Sequence, residues 1–378
     1  MTSAQQWNQP LGSADLVVVG AGIVGLAHAV DAVRRGMSVA VVERDERATG
    51  ASVRNFGHGC FTAQEGDALR YALEARSRWL RLAGEAGLRM RESGTVVVAR
   101  AEDEYAVLEE FQAARGGDQV VLLDAAGVAR RMPVGPGVLG GAWLPLDIRV
   151  DPRQAAHAIA DRLALQGVRF HWATTAHTIE PDLVGTSRGR IRAGRTVMAV
   201  GHDVDRHFPE LAEQAGVRRC ALHMLRVADP HGQAIDPAVL SGFSLLRYDG
   251  FGVCPTRAKV QDRLGADHPE LIDIGLNLMF TQRPGGDLTI GDTHTYATTL
   301  DPFKAEALDQ HVLKETARLL GAERLTVRER WRGVYAAADR PFLIASPMPG
   351  VRVVSVTAGI GMTTALGLAP EVLDDLLR

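Results

Sequence analysis

Lysine is scarce in this chain of 378 residues: Lys259, Lys304 and Lys314 stand against 42 basic residues in all. Few lysines are therefore available for any catalytic role, and arginine carries nearly all the positive charge. Cysteine is as rare, and Cys60, Cys220 and Cys254 lie far apart with no C-x-x-C spacing. That argues against a disulfide framework and a structural zinc site, so no metal is expected, and it fits a reducing cytoplasm. No run approaches the ~18 apolar residues of a membrane-crossing helix. The first 14 residues are polar, lack an apolar signal core and read as a short disordered lead-in. A net charge of −3 leaves no basic footprint for nucleic acid. Internal repeats are absent as well.

What is present begins with an all-apolar strand, Leu16-Val17-Val18-Val19, broken at Gly20. Gly20-Ala21-Gly22-Ile23-Val24-Gly25 follows, then helix-compatible residues to Arg35, a stop at Gly36, and a second buried strand, Val39–Val42, ending at Glu43. Each glycine has a physical task. One makes the tight turn, one lets the backbone approach a pyrophosphate, and one lets the helix pack closely on the strand. The helix N-terminus presents free N–H groups and a positive dipole end to phosphates. A carboxylate at Glu43 accepts from ribose hydroxyls and disfavours a 2′-phosphate, which makes NADP the weaker candidate. The pattern points to a dinucleotide site.

At 46% hydrophobic and 23% charged, the chain reads as globular and long enough for two domains or one bilobed unit. Residues 48–60 form a glycine-marked loop. Helices are expected at 66–86, 102–114, 153–166 (behind an Asp151-Pro152 start) and 302–320. Strands are expected at 94–99, 142–146, 168–172, 196–201 and 351–356. Between Arg206 and Arg330 the style changes, with alternating strands expected at 222–228, 242–247, 273–280 and 288–291. The expected fold class is α/β: a Rossmann-like domain of glutathione-reductase type interleaved with a mostly antiparallel α+β substrate domain. Residues 15–80, 150–205 and 331–378 are assigned to the first, and 81–149 and 206–330 to the second. A ligand site is expected where they meet.

Read together with the N-terminal fingerprint, Arg54-Asn55-Phe56-Gly57 and Gly359-Ile360-Gly361-Met362-Thr363 carry a family likeness. The chain resembles the FAD-dependent oxidoreductases of the D-amino-acid oxidase superfamily, which includes glycine oxidase and sarcosine oxidase. The segments 50–57, 149–153, 291–294 and 331–335 resemble one subgroup, associated with phosphonate utilisation, some of whose members oxidise 2-aminoethylphosphonate or its N-methyl derivative. The likeness implies that Gly20, Ala21, Gly22, Ile23 and Gly25 take the FAD pyrophosphate, and that Glu43, with Arg44, takes the adenosine ribose. Ser52, Arg54, Asn55 and Phe56 would reach the phosphates and flavin edge, Ala176 the adenine, and Gly333 the flavin. Gly359, Ile360, Gly361, Met362 and Thr363 open the last helix, whose dipole would stabilise charge on a reduced flavin.

The implied reaction is hydride transfer from a carbon bearing an amine, giving an imine that water hydrolyses to a carbonyl compound. His58 and His294 are the candidate proton acceptors, and Tyr335 and Met362 the other residues expected at the reactive end. Glycine oxidase and D-amino-acid oxidase place a carboxylate-binding arginine where this chain has Tyr335. Arg226, Arg247 and His294 are therefore candidate partners of a substrate anion beside Tyr335, with Arg332 and Arg340 as alternatives. No cysteine follows Cys254, so FAD is expected to be bound non-covalently. No lysine stands in the strand around Leu288–Ile290, which leaves O2 or another electron acceptor open. A glycine- or sarcosine-type amino-acid oxidase, a non-catalytic flavin-binding protein and an NAD-dependent dehydrogenase are the competing readings.

Overall fold

The computed structural model describes residues 9–378. Its spine is one 15-stranded sheet. In chain order the strands are β1 (Pro10–Val19), β2 (Val39–Val42), β3 (Thr95–Ala99), β4 (Val121–Asp124) and β5 (Gly140–Leu144). There follow β6 (Arg169–His171), β7 (Ala176–Glu180), β8 (Leu183–Thr186), β9 (Gly189–Met198) and β10 (Arg218–Val227). The last are β11 (Ala238–Leu240), β12 (Met279–Gln282), β13 (Leu288–Ala297), β14 (Val327–Met348) and β15 (Val351–Ala358). Across the sheet they run β4-β5-β3-β11-β12-β13-β10-β14-β15-β9-β1-β2-β6, with the β7–β8 hairpin attached to β9.

The stretch β15-β9-β1-β2-β6 is parallel. Parallel strands need cover on both faces, and buried residues supply it. Leu16, Val18, Val39 and Val41 face the cluster built by the helices α1 (Ile23–Arg34), α2 (Gly66–Ala86), α4 (Pro152–Leu165) and α8 (Gly361–Leu376). Val17, Val19, Ala40 and Val42 face a second cluster with Val204 and Val351. The other side of the sheet is antiparallel except where β11 meets β3. It has its own core around Phe111, Phe251 and Phe280, helped by α3 (Glu102–Arg115), α6 (Arg257–Asp267) and α7 (Glu306–Leu320). The mixed α/β class expected from the sequence is the class observed.

Several local expectations are corrected. Gly242–Arg247 is a helix, α5, not a strand: the Ser241 N–H donates to Ser244 Oγ at 3.3 Å across its first turn, which outweighs the alternation of Phe243 and Leu245. In 273–280 only Met279 and Phe280 are in a strand, because Pro269–Asp273 is a short helix. The helix expected from Pro302 begins at Glu306. The β7–β8 hairpin, β9 before Thr196 and most of the 22-residue β14 were not anticipated. Pro10–Ala14, expected in the disordered lead-in, belong to β1 and pair with β9; residues 1–8 of that lead-in lie outside the described residues.

Candidate functional site

Three glycine turns and two strand ends enclose a cavity of ≈ 560 Å³, inside the range of small-molecule and cofactor sites. At one end lie Glu43, Arg44, Ala176 and His177; at the other lie Arg247, Tyr248, Asn277, Asp292, His294 and Tyr335. Between them run Gly20, Gly22 and Ile23, the loop residues Ser52, Arg54, Asn55 and Phe56, then Gly333 and Gly359–Met362.

The β1–α1 turn is built for backbone approach. Gly20 has φ of +105°, and a Cβ there would lie 2.4 Å from the Ala199 carbonyl oxygen. A Cβ on Gly25 would lie 1.9 Å from the Gly20 oxygen, so α1 packs on β1 only with glycine at this position. Gly22 differs: its missing Cβ points toward the cavity, where it would meet only Ser52 Oγ at 3.2 Å. Ser52 Oγ accepts from the Ile23 N–H at 2.8 Å, tying the 48–60 loop to the helix start. Glu43 sits beneath the turn. Its carboxylate accepts from the Ala21 N–H (2.8 Å) and the Asp45 N–H (3.2 Å). Ala21 and Gly25 thus act through the turn and do not line the cavity. Arg44 lines it while paired to the buried Asp203 at 2.6 Å. Asn55 holds its own loop, donating to Ala51 O and accepting from the Gly57 N–H.

At the opposite end Gly359 has φ of +71°, and the Tyr335 ring lies 3.0 Å from where a Cβ would be. Ile360, Gly361 and Met362 follow on the cavity wall at the start of α8. Thr363 does not line it; its hydroxyl accepts from the Cys60 N–H. An elongated cavity with an acid at one end, two helix N-termini along it and no side chain on Gly22 or Gly361 fits a bound dinucleotide such as FAD. Gly22, Ile23, Ser52 and Arg54 would hold its phosphates, Glu43 its ribose, and Gly359–Met362 its ring system.

The reactive end gathers candidates from three elements. Arg247, at the end of α5, donates to Tyr335 Oη (3.1 Å), to Ala358 O (2.9 Å) and, through Nε, to His294 Nε2 (3.3 Å). His294 donates from Nδ1 to Gly275 O at 2.7 Å, which fixes the tautomer that leaves Nε2 free to accept from Arg247. Burial holds this ring's pKa below its usual value despite Asp292 nearby. Burial also drives the Tyr335 and Tyr248 hydroxyls well up, so both remain proton donors. A smaller recess of ≈ 280 Å³, lined by Arg218, Asp249, Tyr296 and Asp339, meets the main cavity at Arg247, Tyr335 and Ala358.

Other expected site residues lie elsewhere. Arg226 is outside the cavity, held by Asp287 (2.6 Å) and Glu329 (2.8 Å). Its alternation on β10 signalled a strand but not which end of it faced the ligand. His58 is buried away from the cavity; its Nε2 contacts Thr95 Oγ1 at 2.7 Å beside Asp147. Asp147 anchors that loop by accepting from Phe61, Thr62 and Thr95. Arg332 turns away to Asp301 O and Phe303 O, and Arg340 is not on the cavity wall. Tyr248, Asn277 and Asp292 are cavity residues that sequence reasoning missed. A buried acid next to His294 was the available signal.

The model of the family described as FAD dependent oxidoreductase (DAO) matches residues 15–374. No curated protein matches the sequence. Among solved structures, glycine oxidase from Geobacillus kaustophilus superposes with a TM-score of 0.77 at 20% identity, covering 97% of this chain and 94% of that one. FAD-bound, dithionite-reduced L-alpha-glycerophosphate oxidase from Mycoplasma pneumoniae gives 0.76 at 17%, covering 97% and 95%. Iminodiacetate oxidase from Chelativorans sp. BNC1 gives 0.75 at 17%, covering 94% of each. At such identities the likeness shows a common fold.

Proposed function

The chain belongs to the family of FAD-dependent oxidoreductases, and from that premise we propose that it oxidises a small amine carrying an anionic group, an aminophosphonate such as 2-aminoethylphosphonate or its N-methyl derivative. When bound, FAD would supply the hydride acceptor for the carbon that bears the amine, and hydrolysis of the imine would yield a carbonyl compound. The protein's part is to orient that carbon and exclude water.

The observation that carries the reading is the cluster of Arg247, Tyr335 and Tyr248 beside Gly359. The Arg247 guanidinium is charged, and its Nη1 donates to no group among the described residues. Among the described residues, Tyr248 Oη has only the Met279 thioether as a partner, at 3.7 Å. Together with Tyr335 these offer three hydrogen-bond donors at one end of the cavity, which suits the three oxygens of a phosphonate. In this reading Arg247, reaching in from α5, replaces the arginine that the likeness led us to seek near Tyr335. A single guanidinium at this end also matches a carboxylate, so a glycine- or sarcosine-type substrate is the second reading.

The flavin portion would comprise residues 15–80, 150–205 and 331–378, and the substrate portion 81–149 and 206–330. Cys60, Cys220 and Cys254 are all buried and none lines the cavity, which supports non-covalent FAD. No lysine lines it either among the described residues; oxygen uptake during turnover separates an O2-using enzyme from one with another acceptor. The test is anaerobic bleaching of the flavin by 2-aminoethylphosphonate, its N-methyl derivative, glycine and sarcosine in turn. Bleaching by the phosphonates alone is expected; bleaching by glycine or sarcosine moves the assignment to amino-acid oxidation, and none by any overturns both.

A further inference from the structure

Asp292 is a buried carboxylate on the cavity wall, 4% exposed, and the reading above leaves it without a role. Its position is held firmly. Asp292 and Asn277 exchange both backbone hydrogen bonds at 2.8 Å, and Asn277 Nδ2 donates to Asp292 Oδ1 at 3.0 Å. The Asn277 amide is itself oriented, since its Oδ1 accepts from Ser244 Oγ at 2.8 Å. Among the described residues no other residue donates to Oδ2: the nearest ionisable partner is His294 Nε2, 3.9 Å away and already accepting from Arg247 Nε. Arginine does not pair with this acid directly. A desolvated carboxylate with one oxygen anchored and the other open to a ligand cavity lacks a cation.

We propose that Asp292 Oδ2 binds the substrate's ammonium group and takes one proton from it, so that the site reads a zwitterion, cation at Asp292 and anion at Arg247. This rests on the amine-oxidation reading. In the step, one N–H bond of the ammonium breaks and an O–H bond forms on Oδ2. The electron pair stays on nitrogen, leaving the neutral amine that can release hydride from its carbon. His294 is the less suited acceptor, because its one basic nitrogen already receives the Arg247 N–H. Burial raises the Asp292 pKa above the ordinary carboxylate value, against the pull of His294 and Arg247, which brings it closer to that of an amine and eases the transfer.

The test uses the holoenzyme and amines that cannot be oxidised, having no hydrogen on the carbon next to nitrogen. The probes are tert-butylamine, 2-amino-2-methylpropylphosphonate and 2-aminoisobutyrate, with propylphosphonate as the anion lacking an amine. Binding is read from the perturbed flavin spectrum. In Asp292→Asn the amine-bearing probes that bind the wild type are expected to weaken about tenfold to a hundredfold, and propylphosphonate to weaken little. A wild type that binds no amine-bearing probe, or a variant that binds them unchanged, overturns the assignment.

A variant-free measurement guards against misfolding. The titratable and charged groups facing Asp292 are His294 on β13, Arg247 and Tyr248 from α5 and its end, and Cys220 on β10. Wild-type affinity for tert-butylamine is expected to fall with falling pH, with a midpoint above the ordinary carboxylate range; pH-independent affinity overturns the proposal. Failure of the phosphonate reading looks different: both phosphonates fail to bind while tert-butylamine or 2-aminoisobutyrate still depends on Asp292.

Discussion

At the scale of single residues, Arg247 and Tyr335 bear the heaviest expectations. Arg247→Met removes the one guanidinium that joins Tyr335, Ala358 and His294. It is expected to lower kcat/KM for the anionic amine by about 2–5 kcal/mol of binding, the range for truncating one partner of a buried charge pair, with FAD content unchanged. Tyr335→Phe removes a single neutral hydrogen-bond donor, and a loss of about 0.5–1.5 kcal/mol is expected. Stopped-flow flavin reduction across substrate concentrations checks both. Of the four substrate-binding candidates expected from the sequence, Arg247, His294 and Tyr335 line the cavity; arginine, histidine and tyrosine are chemically conspicuous near a glycine turn. Arg226 shows the limit: Asp287 and Glu329, distant in sequence, neutralise it, and no local pattern revealed them.

At the scale of elements, the β1–α1 turn discriminates sharply between its glycines. Gly25→Ala puts a methyl 1.9 Å from the backbone oxygen of Gly20 in the tight turn, whereas Gly22→Ala meets only a serine hydroxyl at 3.2 Å. Gly25→Ala is expected to yield protein without bound flavin; Gly22→Ala is expected to fold but bind FAD more weakly, because its methyl enters the space the phosphates would use. Flavin absorbance after purification, with circular dichroism, separates the two. This unit was legible from sequence because strand, turn, helix and strand are all local. α5 was not, because Phe243 and Leu245 alternate as a strand would, and the contact at its start is a hydrogen bond from the Ser241 N–H to the Ser244 side chain. The length of β14 was hidden for another reason. It is half-exposed along much of its course and broken by a register shift between Ala337 and Phe342, so neither a clean alternation nor a buried run marks it.

At the scale of the whole molecule, a buried histidine contributes to the loss of stability in acid. His28 is fully buried in α1, donates to Val24 O at 2.7 Å, and burial lowers its pKa from 6.5 to about 4. The unfolded chain therefore takes up the proton first. Stability from neutral His28 is complete above pH 6.5 and is lost as pH falls toward 4. The melting temperature is expected to begin falling below pH 6.5, and less steeply in His28→Leu. Saturating FAD is expected to raise it at every pH, by mass action on the folded state alone. One consequence of the architecture concerns divisibility. Tyr335 lies on a strand that pairs on one side with β10 and on the other, from Ala337 onward, with β15, so residues 206–330 and the segments that flank them share one sheet. Cutting the chain at Arg206 and Arg330 would not liberate two smaller proteins; it would leave two torn edges of unpaired backbone. Limited proteolysis is accordingly expected to degrade the molecule whole, without releasing a stable half.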